Sequence, residues 1–234
     1  MSILIQKNRI IFEKTTDKHN ISILAKTILK TDMYYTLIDN GHGIDTKGKR
    51  SPDGLILEYA YTRELAAEIY ERLLITNYIK PILITPERKD IPLATRVQRI
   101  NNYCNKYGAK NCIMISLHLN AAGNGQWMNG SGWECYTTPG QNNSDKLADL
   151  LYKHANNVFY PNVKLRTDYT DGDIDKESNF YIIRKSNCPA VLTENLFMDS
   201  HKDADYLLSA TGFNNIVDLH VNAIKEWFGN LEKI

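Results

Sequence analysis

Hydrophobic and polar positions along this chain fall into blocks whose period switches repeatedly between strand and helix. Met33–Asp39 (MYYTLID) is a short apolar run closed by the turn-former Asn40-Gly41, which reads as a buried strand. Leu55–Thr76 places Tyr61, Leu65, Ile69 and Leu73 on one helical face. Pro81–Thr85 reads as a strand and Leu93–Tyr107 as a helix. Asn111–Leu119 (NCIMISLHL) and Gly132–Thr138 read as strands, and Asp145–Val158 as a helix capped by Ser144. Phe180–Arg184 and Ala190–Thr193 are two further expected strands, and helices over roughly 202–209 and 212–228 close the chain.

Strands alternating with helices predict an α/β fold, a mainly parallel twisted sheet with helices on both faces. The active site of such a fold lies at the strand carboxyl ends. Residues 1–32 stand apart as an N-terminal appendage: an apolar stretch at Ile3–Phe12, a polar turn over Thr15–Asn20 and an amphipathic Ile21–Leu29. Residues 33–234 form the expected catalytic domain. Within it, Asn162–Asn179 (NVKLRTDYTDGDIDKESN) is a long polar connection of the kind that is usually functional or mobile.

Composition narrows the function classes. The chain has 234 residues, 43% hydrophobic and 24% charged, an ordinary globular mixture that excludes disordered, collagenous and coiled-coil chains. A net charge of +1 gives no footprint for nucleic acid or an anionic membrane. No apolar run approaches the ~20 residues of a transmembrane helix, so no membrane insertion is expected. The opening MSILIQKNRIIFEK lacks a basic region before its apolar stretch and a small-residue cleavage site, so synthesis in a cytoplasm without a signal peptide is the expectation. Cys104, Cys112, Cys135 and Cys188 are widely spaced and read as reduced core residues.

The residues just past each strand are where the chemistry is expected. Gly41-His42-Gly43 comes after the first; Ser116-Leu117-His118-Leu119-Asn120 ends the next long one; Arg184 and Glu194-Asn195 end two more. Glu58 extends the apolar helix face one turn toward the N-terminus, so it points inward. An inward carboxylate and a strand-end histidine are costly unless paired or bound to a cation. Two histidines and a glutamate make a catalytic zinc set with a fourth position open for water, and Glu194 is the candidate base for that water's proton. The set reads as a zinc hydrolase.

These residues also resemble a known family, the zinc-dependent N-acetylmuramoyl-L-alanine amidases of bacteria and their phages. The resemblance runs from about Tyr35 to Phe228. It is carried by Ile38-Asp39-Asn40-Gly41-His42-Gly43, Glu58, Ser116-Leu117-His118-Leu119-Asn120-Ala121, Gly132-Trp133-Glu134-Cys135-Tyr136 and Pro189-Ala190-Val191-Leu192-Thr193-Glu194-Asn195-Leu196-Phe197. The resemblance implies a peptidoglycan substrate, cleaved at the amide between N-acetylmuramic acid and L-alanine. It implies Zn2+ as cofactor, with His42, Glu58 and His118 as ligands and Glu194 as the catalytic residue. Arg184 is assigned to an oxyanion or a substrate carboxylate. Asn40 stands where the family often has proline, and residues before Tyr35 and within Asn162–Asn179 match none of its patterns. An enzyme without a signal peptide or wall-binding repeats suits a phage or prophage lysin, acting on the wall after release or export.

Plainer readings stand beside these. Either histidine alone is more often a hydrogen-bonded structural residue, Glu58 a first-turn carboxylate facing the helix dipole, and Glu194 a structural partner of Arg184. His19, His154, His201 and His220 read as bystanders, Trp127 as a sugar-stacking candidate, Trp133 and Tyr136 as core, and Tyr169 and Asp171–Asp175 as solvated. The rival functions are a zinc peptidase acting within stem peptides, a silent wall-binding module and a nucleotide-binding protein. The first is disfavoured because His42 and Glu58 are sixteen residues apart, where carboxypeptidases use a spacing of three. The second is disfavoured because all four site positions are filled, and the third because neither GxGxxG nor a P-loop is present. Oligomeric state is not legible.

Overall fold

The computed structural model describes residues 3–6, 9–12 and 33–231. The chain divides into two compact units, Met1–Met33 and Tyr34–Ile234. In the first, β1 (Ile3–Gln6) and β2 (Arg9–Phe12) pair antiparallel, with Ile3 opposite Phe12. The amphipathic Ile21–Leu29 and the turn at Thr15–Asn20 lie outside the described residues.

The second unit is built on a six-stranded sheet. Its elements are β3 (Tyr34–Asn40), α1 (Glu58–Leu74), β4 (Ile79–Leu83), α2 (Leu93–Tyr107), β5 (Cys112–Asn120), β6 (Glu134–Thr137), α3 (Asn143–Phe159), β7 (Lys176–Glu177), α4 (Tyr181–Lys185), β8 (Ala190–Phe197), α5 (His201–Leu208) and α6 (Ala210–Leu231). The strand order is β4-β3-β5-β8-β6-β7. The first four run parallel, while β6 pairs antiparallel with β8 and parallel with β7. The sheet is therefore mainly parallel, as the alternation of periods predicts.

Two apolar layers cover the sheet. On one face Ile38, Ile113, Ile115, Leu117 and Val191 meet Leu65, Ile69 and Leu73 of α1, Leu147 and Leu151 of α3, and Ile216 and Ile224 of α6. On the other, Leu37, Cys112, Met114 and Leu192 meet Val97, Ile100 and Cys104 of α2 and Ile182 and Ile183 of α4. Burial on both faces explains why β5 reads as a continuous apolar run. All four cysteines are buried and unbridged. No helix among the described residues is long and apolar enough to cross a membrane.

Two local expectations are corrected. Phe180–Arg184 is not a strand: Tyr181–Lys185 is a short helix. A five-residue apolar run fits either period, and here the helix buries Ile182 and Ile183 against α2. The cap of α3 is Asn142, not Ser144. The Asn142 side chain accepts from the Ser144 N–H, and the Asp145 carboxylate accepts from the Asn142 N–H, closing a capping box. Ser144 Oγ instead accepts from Ala190 N–H at 3.1 Å, tying the helix start to β8.

Candidate active site

The second apolar layer stops short of the strand carboxyl ends, and polar residues take its place. Along β5 the side chains facing that layer run Cys112, Met114, Ser116, His118. On β8 the corresponding series is Ala190, Leu192, Glu194, and Glu194 lies in register with His118. Glu134 is in register with Glu194 on the next strand. Three neighbouring strands thus present His118, Glu194 and Glu134 abreast. On the opposite flank, in β3, Asp39 accepts from Ser116 Oγ at 2.7 Å and from Arg96 Nη1 at 2.9 Å, a buried pair on the wall of the cleft. His42, His118, Asp90, Pro92 and Ile182 also line that cleft, of about 480 Å³.

His42 is placed by the turn after β3. Gly41 N–H donates to Leu117 O at 2.9 Å, Gly43 N–H to Thr46 Oγ1 at 3.0 Å, and Arg63 Nη2 holds His42 O at 3.0 Å. His42 itself sits at φ 62°, a strained left-handed conformation for a residue with a side chain. Both flanking glycines are sterically required. A Cβ on Gly41 would fall 2.4 Å from His118 Cε1, and one on Gly43 would fall 1.9 Å from Asp90 N. The turn therefore brings the two imidazoles together, ring centroids 5.0 Å apart and planes perpendicular.

Glu58 opens α1 with its side chain fully buried. One carboxylate oxygen, Oε1, accepts from Leu119 N–H at 3.1 Å and lies 3.0 Å from His118 Nδ1. The other, Oε2, lies 3.4 Å from His42 Nε2 and has no hydrogen-bond partner. Burial alone would raise the Glu58 pKa, but the His118 hydrogen bond and the two nearby imidazoles override it and hold the carboxyl below its usual value. Burial pushes His42 down to about 4, which keeps its ring nitrogens available as ligands. One donor atom from each of His42, Glu58 and His118 lies within 4.8 Å of the others, a group able to hold a metal ion. The structure thus brings these three sequence-expected residues together.

Glu194 has a buried carboxylate oxygen, Oε2, without a hydrogen-bond partner. Burial, reinforced by the Glu58 and Glu134 carboxylates, pushes its pKa up to about 7. Its position is fixed by the next residue. Asn195 donates to His118 O at 3.1 Å and to Thr193 Oγ1 at 3.1 Å, and accepts from Trp133 Nε1 at 2.9 Å. Trp133 is thus core, as expected. Glu134, to which the sequence assigns no role, is saturated: its oxygens meet Arg166 Nε at 2.7 Å, Lys176 Nζ at 2.8 Å, Asn120 Nδ2 at 2.5 Å and the Tyr136 hydroxyl at 3.0 Å.

Arg184 does not join this group. In a strand it would share a face with Ile182, which lines the cleft; in α4 it lies roughly 200° around the axis from it and is exposed. His19 lies outside the described residues, and among the described residues the other histidines are occupied elsewhere. His154 pairs with Glu226 at 2.8 Å, His201 stacks on Trp127 at 3.8 Å, and buried His220 bonds Thr193 Oγ1 and Ile216 O.

Fold and site together define an α/β protein whose candidate centre, two imidazoles and a carboxylate beside a second, raised carboxylate, lies at the sheet's carboxyl edge. The family model for N-acetylmuramoyl-L-alanine amidase matches residues 36–226, and the chain belongs to that family. It is 30% identical over 202 residues to the N-acetylmuramoyl-L-alanine amidase CwlM of Bacillus licheniformis, spanning 86% of this chain and 71% of that one. A sporulation-specific N-acetylmuramoyl-L-alanine amidase of Bacillus subtilis is 28% identical over 201 residues, 86% of this chain and 70% of the relative. Among solved structures, an N-acetylmuramoyl-L-alanine amidase from Clostridium difficile 630 superposes with a TM-score of 0.71 at 21% identity, covering 85% of this chain and 98% of the other. The family and the two relatives support peptidoglycan amidase function, and the solved structure shows the shared fold.

Proposed function

We propose that the chain hydrolyses the amide between N-acetylmuramic acid and L-alanine with zinc held by His42, Glu58 and His118 and with Glu194 as the proton-transferring base. The observation that carries this reading is Glu58, a fully buried carboxylate with one unpartnered oxygen flanked by two imidazoles. A buried carboxylate oxygen without a donor is costly, and a cation among the three side chains removes that cost. The donor chemistry fits zinc: two imidazole nitrogens and a carboxylate oxygen are its usual catalytic set, whereas magnesium and calcium favour all-oxygen sites.

Zinc bound there supplies Lewis acidity toward water and toward the scissile carbonyl. The remaining work belongs to the chain. Glu194 takes a proton from the attacking water and returns it to the departing alanine nitrogen, a double role suited to a carboxyl poised near pH 7. Glu134 cannot substitute for it, because Arg166 and Lys176 hold its carboxylate ionised and fully bonded. Its fixed negative charge beside Glu194 instead helps to raise the base.

The test is metal removal and return. Chelation is expected to abolish peptidoglycan hydrolysis, and one equivalent of zinc per chain to restore it while magnesium does not. Full activity in the metal-free protein would overturn the reading.

A further inference from the structure

The polar connection between α3 and β7 contains Asp171-Gly172-Asp173-Ile174-Asp175, a run whose composition suggests solvent. The structure buries only its end: Asp171 and Gly172 are exposed, Asp173 and Ile174 half-buried and Asp175 buried. Ile174 packs against the main apolar layer, and the flanking Asp173 and Asp175 turn the other way, toward Asp145 in the first turn of α3. One carboxylate oxygen from each of Asp145, Asp173 and Asp175 lies within 4.8 Å of the other two. Asp175 is 1% exposed and Asp145 7%.

These carboxylates are only partly satisfied. Asp175 Oδ2 accepts from Thr137 Oγ1 at 2.6 Å, and Asp145 Oδ2 from the Asn142 N–H. Asp175 Oδ1 and Asp173 Oδ1 are buried with no hydrogen-bond partner. No lysine, arginine or histidine among the described residues forms an ion pair with any of the three; adjacent Lys176 is committed to Glu134. Burial and the neighbouring carboxylates push Asp175 up to about 7.

We propose that Asp145, Asp173 and Asp175 form a second cation site, separate from the histidine centre, that binds calcium and fastens the connection to α3. The second observation beside the acidic cluster is Oδ1 of Asp175, an oxygen of an almost fully buried side chain that has no hydrogen-bond partner. Donors that all lie within 4.8 Å of one another are close enough to share a single ion. An all-carboxylate set on a loop suits calcium's flexible geometry better than magnesium's strict octahedron, and it lacks the nitrogen or sulfur that zinc prefers. The site also bears on the centre. Asp175 precedes Lys176, whose ammonium holds Glu134 beside Glu194. Fastening Asp175 to Asp145 therefore fixes one of the cations that set the charge next to the proposed base.

The test uses the full chain with one equivalent of zinc in calcium-free buffer. Calcium is titrated by calorimetry, and thermal unfolding is measured with and without it. The expected result is one calcium per chain and a midpoint raised by about 5–10 °C at a hundredfold excess over the dissociation constant. Asp175→Asn removes repulsion, so it should unfold no lower than the calcium-free wild type and show no calcium response. Asp173→Asn, at a half-buried position, is the second variant and should weaken calcium binding at least tenfold. Absence of both heat and midpoint shift at 10 mM calcium (about tenfold above the weakest dissociation constants of protein calcium sites), or equal shifts in wild type and both variants, would overturn the proposal. The cluster would then be a shared-proton carboxyl group.

Discussion

Glu194 and His118 stand opposite each other across the β5–β8 ladder, in register and on the same face of the sheet. The pairing sets a carboxyl raised by burial beside an imidazole that also touches Glu58. The proposed ligand and the proposed base are thus positioned by the backbone hydrogen bonds of the sheet. The Asn195 side chain locks the arrangement by bonding back to His118 O.

The candidate metal group makes the first prediction. His118→Ala and His42→Ala should each lose bound metal and peptidoglycan hydrolysis together, while circular dichroism stays that of a folded protein. Metal content by mass spectrometry decides it. A variant that keeps stoichiometric zinc would remove that histidine from the ligand set.

Steric arguments supply a second. Gly41→Ala puts a methyl group 2.4 Å from the His118 ring, so the imidazole must move. A shift of an ångström in such a centre costs on the order of a hundredfold in rate. Hydrolysis should therefore fall by about that factor, with weakened metal binding. Gly43→Ala meets backbone at Asp90 rather than a side chain, and the damage should appear in stability, by more than about 2 kcal/mol in denaturant titrations.

A buried histidine outside the candidate metal group makes the pH prediction. His220 donates from Nδ1 to Ile216 O at 2.7 Å and accepts at Nε2 from Thr193 Oγ1 at 3.1 Å, so it is held neutral. Burial depresses its pKa from 6.5 to about 4. The unfolded chain then binds a proton that the folded chain refuses, so stability is full above pH ~6.5 and falls as pH drops toward 4. The loss amounts to about 3 kcal/mol. Urea titrations of wild type and His220→Gln between pH 7 and 4 should differ by one proton's worth of slope; parallel curves would contradict it.

Arg184 gives the opposite kind of prediction. Exposed on α4 and turned from the cleft, it should tolerate alanine with kcat/KM changed by less than about threefold, well under the effect of losing a transition-state contact. A hundredfold loss would restore the role expected from a strand end.

The contrast between these residues shows what the sequence could reveal. His42, Glu58 and His118 were legible because parallel strands deliver their last residues to one edge and helical spacing fixes which side chains point inward. Glu134 escaped the same rule for a physical reason. It begins β6, which runs against its neighbour, so its first residue, not its last, lies at the edge where Glu194 sits. Arg184 was misplaced because a five-residue apolar run carries no period long enough to separate helix from strand. Asp175 looked solvated because the groups that bury it, Thr137 and Asp145, are distant in sequence.

The most direct test of the central claim is to digest isolated peptidoglycan with the purified protein and with Glu194→Gln, and to identify the released fragments by mass spectrometry. The account predicts intact stem peptides beginning with a free L-alanine amine from the wild type. It predicts at least a hundredfold less from a variant that still binds zinc, the usual scale for a lost general base. Cuts within the stem peptide, or near-native release by the zinc-loaded variant, would contradict it.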